Sequence, residues 1–306
     1  MAVSRSDLTV KIGDWQLANP IMTASGTFGY GAEFSDFIDL NRLGAIVVKG
    51  ISLKPRIGNP PPRIVETACG MLNAIGLENP GIDKFLSDKM PQLKKFTCGI
   101  VVNILGDSLA EYCALAERLN DTDIAAIEVN ISCPNVKKGG VAFGTDAKMV
   151  YDVTRSVRER SNKPIIMKLS PNVTDITAMA SAAEEGGASA ISLINTMLGM
   201  AIDIRTRRPK LANKVGGLSG PAIKPIALRM VWQVAQRVKV PVIGIGGIST
   251  VEDVVEFLLA GATAVQIGTA NLINPQAAEK LVDGLEKYLL ENKIATVKEL
   301  VKGLII

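Results

Sequence analysis

At 306 residues the chain is long enough for one large domain or two ordinary ones, and its composition, 47% hydrophobic with only 4% aromatic residues, suits the aliphatic core of a parallel sheet. Acidic and basic residues are interspersed and leave a formal charge of +4, which gives no basic stripe and excludes a nucleic-acid-binding role. Four cysteines without a CxxC pair, no run of about 18 apolar residues and no hydrophobic stretch in Met1–Asp7 point to a cytoplasmic protein with free thiols and no membrane span.

The first element expected is a small hairpin over Thr9–Ala18, turned at Gly13-Asp14 and closing the bottom of a barrel. Eight short β-branched runs come next, at Pro20–Ser25, Ala45–Gly50, Gly99–Leu105, Ala125–Ser132, Pro164–Ser170, Ala190–Asn195, Val240–Gly247 and Ala264–Thr269. Amphipathic stretches lie between them, among them Ser108–Asn120, Asp146–Ser161, Asp175–Gly186, Pro221–Val238 and Thr250–Ala260. Gly186-Gly187 and Gly261 come after the last turns as C-terminal glycines do. This alternation predicts an α/β fold, a (β/α)8 barrel forming a single domain over residues 1–306. An open doubly wound sheet is the alternative. Against it, Gly244-Ile-Gly246-Gly247-Ile-Ser249 comes late in the chain, with Ser249 in the third glycine's place of a dinucleotide fingerprint.

Each expected strand ends in polar or glycine residues: Ser25, Lys49-Gly50, Asn103, Asn130, Lys168, Asn195-Thr196, Gly246-Gly247 and Gly268-Thr269. In a barrel these ends form the active-site face. Single instances are ordinary turn or capping chemistry, but eight in phase define a mouth. The loops after strands seven and eight suit a phosphate, with Ser249-Thr250 capping the next helix. Lys49 and Lys168 suit a Schiff base or the stabilisation of anionic charge, unless they reach out to solvent. Asn103, Asn130 and Asn195 suit the amide edges of a flavin or a pyrimidine. No carboxylate cluster lies there, so no metal is expected.

The stretch Glu128-Val-Asn-Ile-Ser-Cys133-Pro-Asn135 delivers a thiol at a strand end in a chain without histidine. Proton removal near neutral pH then falls to Cys, Lys, a carboxylate or Tyr, and Cys133 is the candidate, with a buried structural thiol as the alternative. Two long connections stand out. One runs through the stiff, proline-rich Lys54–Arg63 and the aperiodic Cys69–Gly81; the other, Pro134–Thr145, carries Gly139-Gly140 and Gly144 and reads as a lid or a static loop.

In order and spacing, Asn19-Pro20 to Gly26, Val48-Lys49-Gly50, Asn73-x-x-Gly76-Leu77, Asn130-x-Ser132-Cys133-Pro134-Asn135, Lys168-Leu-Ser-Pro171, Asn195-Thr196, Gly217-Leu-Ser-Gly220, Gly246-Gly247 and Gly268-Thr269 resemble dihydroorotate dehydrogenase over nearly the whole chain. The resemblance implies an FMN-dependent oxidation of (S)-dihydroorotate to orotate, with the C5 proton taken at the Cys133 position. It implies FMN contacts from Ser25, Lys49, Gly50, Asn103, Asn130, Lys168, Ile194, Gly220, Gly246, Gly247, Gly268 and Thr269. Substrate contacts would come from Lys49, Asn73, Ala74, Ile75, Gly76, Leu77, Asn130, Asn195 and Thr196. Cysteine where the quinone-linked class 2 enzymes carry serine, and no N-terminal membrane-associating extension, resemble class 1. The residues Asn135–Asp146, and Glu78 where the 1A pattern has proline, are similar to the NAD-linked 1B subtype. That subtype implies a homodimer within a heterotetramer, its partner subunit holding FAD and a 2Fe–2S cluster. The alternatives that stay open are a fumarate-linked 1A homodimer, a phosphate-binding Schiff-base aldolase and a non-enzymatic flavin-binding scaffold.

Overall fold

The computed structural model describes residues 6–132 and 143–305; Cys133 and the expected lid up to Ala142 lie outside them. Eight parallel strands close into a barrel: β1 Ile21–Thr23, β2 Ala45–Ile51, β3 Gly99–Ile104, β4 Ala126–Asn130, β5 Ile165–Lys168, β6 Ala190–Leu193, β7 Val242–Ile245 and β8 Ala264–Ile267. Their order round the barrel is the chain order, β8 pairing β1 and β5 pairing β6. This is the expected (β/α)8 architecture.

Several runs are one or two residues shorter as ladders than as apolar patterns, for a physical reason at each end. Pro20, Pro164 and Pro241 lack an N–H and cannot donate to a ladder. Their carbonyls still accept from Val265, Ile127 and Ile191. At the other end the polar residues leave the ladder and turn into the mouth. In β2 the register slips between the pairs Val48↔Val102 and Ile51↔Ile104, an irregularity that re-aims side chains at a barrel rim. Lys49 and Gly50 sit in that slip. A Cβ at Gly50 would lie 2.7 Å from Leu105 Cδ2 and 2.8 Å from Asn103 Oδ1, so only glycine lets the two strands approach there.

The outer helices bury one face each. They are α1 Leu109–Leu119, α2 Ala147–Arg160, α3 Ile176–Glu185, α4 Lys224–Arg237, α5 Val251–Leu259 and α6 Ala277–Glu291. The first three start at Ser108, Asp146 and Asp175, whose side chains accept from backbone N–H groups of the first turn. Helix α5 starts in a reciprocal capping box between Thr250 and Asp253. Thr250→Ala is expected to lower stability by about 1 kcal/mol, read as a drop in the thermal midpoint of the purified chain. Gly244 in β7 lets this helix close in, since a Cβ there would sit 2.4 Å from Phe257 Cδ1.

The N-terminal hairpin pairs Val10–Ile12 with Trp15–Leu17. Its Trp15 ring lies where a Cβ of Gly99, the first residue of β3, would stand, so the hairpin covers the N-terminal end of the barrel as expected. A four-stranded antiparallel sheet above the mouth is not anticipated by the sequence pattern; its order is Met197–Met200, Val215–Ser219, Gly70–Asn73, Ile64–Thr67. The stretch from Cys69, expected to be irregular, therefore begins in a strand. Gly70, Gly199, Gly216 and Gly217 supply four of its residues, and glycine weakens a strand pattern because it has no side chain to alternate.

Candidate active site

One cavity of about 1040 Å³ opens at the C-terminal end of the barrel. Every predicted site residue within the described chain lines it. Ser25, Lys49, Gly50, Asn103, Asn130, Lys168, Gly246, Gly247, Gly268 and Thr269 come from the strand ends, Asn195 and Thr196 from the exit of β6, and Ile194 and Gly220 from beside them. The stretch Asn73, Ala74, Ile75, Gly76 and Leu77 enters from the sheet above. Asn130, Ile131 and Ser132, the residues leading to Cys133, also face the cavity, and Gly144 and Thr145 line it beyond the undescribed segment.

Strand β4 and its neighbours set the asparagines. Asn130 Oδ1 accepts from Asn195 Nδ2 at 3.3 Å and from the Ser132 N–H at 3.2 Å, while its carbonyl accepts the Tyr112 hydroxyl at 2.8 Å. Asn195 Oδ1 accepts the Thr196 N–H at 2.8 Å. Tyr112 is itself held edge-on by Phe143, their ring centres 5.9 Å apart. Asn103 Nδ2 donates to Glu128 Oε2 at 2.7 Å, and its buried Oδ1 has no hydrogen-bond partner among the described residues.

The two lysines differ. Lys168 is 4% exposed; its Nζ donates to Ser25 Oγ at 3.1 Å and lies 3.6 Å from Glu128 Oε2. A lysine reaching out to solvent does not describe it. Lys49 is half-buried in the rim. Burial holds its ammonium below the ordinary lysine range, with Glu78 opposing the shift and Arg63 adding to it.

The strand from Gly70 to Asn73 continues into a braced turn. Gly76 and Leu77 both take positive φ, 77° and 60°, and both line the cavity. Asn59 Nδ2 donates to the Ala74 carbonyl at 2.9 Å, the Asn59 N–H donates to the Ile75 carbonyl, and Arg63 pairs with Glu78 at 2.5 Å. Leucine in the left-handed region costs energy and persists where the surroundings hold it.

The loop after β7 caps the next helix as expected: Thr250 is its N-cap, and the Ser249 and Thr250 N–H groups both donate to Asp253 Oδ2, at 2.8 and 2.9 Å. Burial alone would raise the Asp253 carboxyl, but Lys224 at 2.6 Å and these N–H groups outweigh it and hold the group below the ordinary range. Gly246-Gly247 and Gly268-Thr269 line the cavity, as do Ser249 and Thr250.

Glu128, Ser192 and Gln266 are functional candidates that the strand-end pattern does not single out. All three are buried inside the barrel and joined by hydrogen bonds. The available signal is a polar residue in the middle of an otherwise apolar parallel strand, which is rare unless it has partners.

A closed parallel barrel with a cavity at its C-terminal face that brings lysines and asparagines together is the arrangement of a barrel enzyme. The family model of dihydroorotate dehydrogenase matches residues 7–289, and the chain belongs to that family. It is 60% identical over 304 residues, 99% of this chain and 100% of the relative, to a Geotalea uraniireducens (strain Rf4) protein described as dihydroorotate dehydrogenase B (NAD(+)), catalytic subunit. Proteins of the same description are 59% identical in Geobacter sulfurreducens, over 99% of both chains, and 56% identical in Alkaliphilus oremlandii, over 98% of this chain and 99% of the relative. A crystal structure of an Eimeria tenella dihydroorotate dehydrogenase in complex with ferulenol superposes with a TM-score of 0.79, covering 96% of this chain and 88% of that one. At 23% identity it bears on the fold alone.

Proposed function

We propose that the chain is the FMN-binding catalytic subunit of an NAD-linked dihydroorotate dehydrogenase, oxidising (S)-dihydroorotate to orotate in pyrimidine biosynthesis. The observation that carries this reading is the convergence of both expected residue sets, for cofactor and for substrate, on one cavity. When bound there, FMN supplies the hydride acceptor.

The residues present fit such a group. Asn103 Oδ1 is a buried acceptor without a partner among the described residues, as a ring N–H requires. At Gly268 a Cβ would meet nothing closer than Ala24 Cβ at 3.5 Å, and at Gly26 nothing within 4 Å, so the protein leaves that space clear. Lys168, Ser25, Asn103 and Asn130 would hold the polar ring edge; Lys49-Gly50, Ile194 and Gly220 would flank it; Gly246-Gly247 and Gly268-Thr269 would receive the phosphate on backbone N–H groups. The Lys168 ammonium is a fixed cation in a site removed from water, where it opposes negative charge that develops nearby.

The substrate carboxylate suits the concavity at Ile75 to Leu77 beside Lys49, and its ring amides suit Asn73, Asn130, Asn195 and Thr196. Cys133 comes directly after the cavity-lining Ser132 and is the base we assign to the C5 proton. Lys49 binds an anion only while protonated. Substrate KM is therefore expected to rise with pH through a value below that of a free lysine, because burial favours the neutral amine. Glu78→Gln removes the one influence that opposes this shift and should move the rise to lower pH. A KM–pH profile that is identical in Glu78→Gln and the parent would remove Lys49 from substrate binding.

The electron acceptor is inferred from the named relatives. We infer a partner subunit carrying FAD and a 2Fe–2S cluster, and a heterotetramer of two such pairs built on a dimer of this chain. Leu198, Met200 and Ile202, each more than half exposed on or beside the outer sheet, are apolar surface that an assembly would cover. Among the described residues no helix is long and apolar enough to cross a membrane. The free Cys69, Cys98 and Cys113 fit the reducing cytoplasm. The acceptor is tested by assaying the chain alone and with its partner: NAD reduction that needs the partner is expected, and rapid turnover with fumarate by the chain alone would replace the NAD-linked assignment with the fumarate-linked one.

A further inference from the structure

Inside the barrel, below the mouth, five side chains from five strands form one network. Glu128 of β4 is at its centre and fully buried. Its Oε2 accepts Asn103 Nδ2 of β3 at 2.7 Å; its Oε1 accepts Ser192 Oγ of β6 at 2.9 Å and Gln266 Nε2 of β8 at 2.7 Å. The fifth member is Lys168 of β5, whose Nζ lies 3.6 Å from Oε2. The three hydrogen-bonded neighbours all donate, so Glu128 acts only as an acceptor, the behaviour of a carboxylate.

Two buried charges are costly to place in a barrel core, and the pair is retained only where both are held by further hydrogen bonds. Glu128 meets that condition. Lys168 has fewer anchors: among the described residues its amine reaches only one other hydrogen-bond partner, Ser25 Oγ from the exit of β1, since Ser132 bonds the Lys168 carbonyl and not its amine. Of the groups that face it, Asn130 from β4 and Ser192 from β6 are neutral, and Glu128 is the one carboxylate within 4.0 Å among the described residues.

We propose that Glu128 is a positioning residue for the reaction: its carboxylate pairs with the Lys168 amine and aims it at the cavity. The function of this cation rests on the proposed FMN site; the pairing itself does not. Without the carboxylate, a lysine this buried loses its counter-charge and the contact that aims it. Glu128→Gln keeps the shape and reverses part of the hydrogen bonding, so it removes the charge with little change in volume.

The test measures the flavin reduction potential of the FMN-loaded chain by redox titration in the parent, Glu128→Gln and Glu128→Asp. In Glu128→Gln the potential is expected to fall, because the cation is no longer held against the charge of the reduced ring, and Glu128→Asp should recover part of the fall. Equal potentials in parent and Glu128→Gln would overturn the proposal. So would a structure of Glu128→Gln in which the Lys168 amine keeps its place against Ser25. A chain that binds no FMN would defeat the proposed cofactor site, while the place of the Lys168 amine in the variant would still be readable.

Discussion

Cys133→Ala is expected to leave FMN bound and to slow dihydroorotate oxidation by about 100-fold to 10,000-fold, the usual contribution of a positioned base. The chain has no histidine, so the choice of base is narrow. Lys168 faces Glu128 in the barrel and, as an ammonium, carries no free electron pair. Lys49 stands at the rim beside the Glu78–Arg63 pair. The remaining carboxylate in the barrel, Glu128, is walled off by Asn103, Ser192 and Gln266. The strand that ends in Asn130 runs through Ile131 and Ser132 along the cavity wall, and Cys133 is the next residue. Cys133→Ser should keep part of the activity and gain on the parent as pH rises, because a hydroxyl holds its proton far more tightly than a thiol. Rapid-mixing kinetics with dihydroorotate as sole reductant measure both. An alanine variant as fast as the parent would remove the thiol from the reaction.

Lys168→Met should cost about 3–5 kcal/mol of stability, the penalty for leaving a buried charge without its counter-ion. The same change at a solvated surface lysine costs almost nothing. The difference arises because Glu128 is fully buried and Lys168 is 4% exposed. Combining Lys168→Met with Glu128→Gln removes both charges together and should recover most of the loss, a coupling that denaturant unfolding of the two single variants and the double variant resolves. Additive losses would mean that the two side chains do not act as a pair. The double variant should remain inactive even where it is stable, because the cation is gone from the cavity.

Much of this architecture is legible in the chain, and for identifiable reasons. Eight β-branched runs alternating with amphipathic stretches define a parallel barrel because both faces of each strand are buried. The polar ends of those runs have to face one mouth once the barrel closes. Lys49 and Gly50 stand there as expected, although the slip in β2 that aims them has no signature in an apolar run. The sheet over the mouth is not legible, because Gly70, Gly199, Gly216 and Gly217 erase the alternation by which a strand is read. Ser249 and Thr250 cap the helix after β7 as expected, and Asp253, three residues beyond Thr250, takes both of their N–H groups. Glu128 is hidden differently: pairing across the barrel depends on Gln266, 138 positions away, and no local pattern records it.

The most direct measurement mixes the purified chain with dihydroorotate in the absence of oxygen and monitors its visible absorbance. A yellow protein that bleaches on mixing and yields orotate is the expected result, with colour restored by NAD only when the partner subunit is present. A colourless protein, or one whose flavin stays oxidised under dihydroorotate, would contradict the assignment of this cavity.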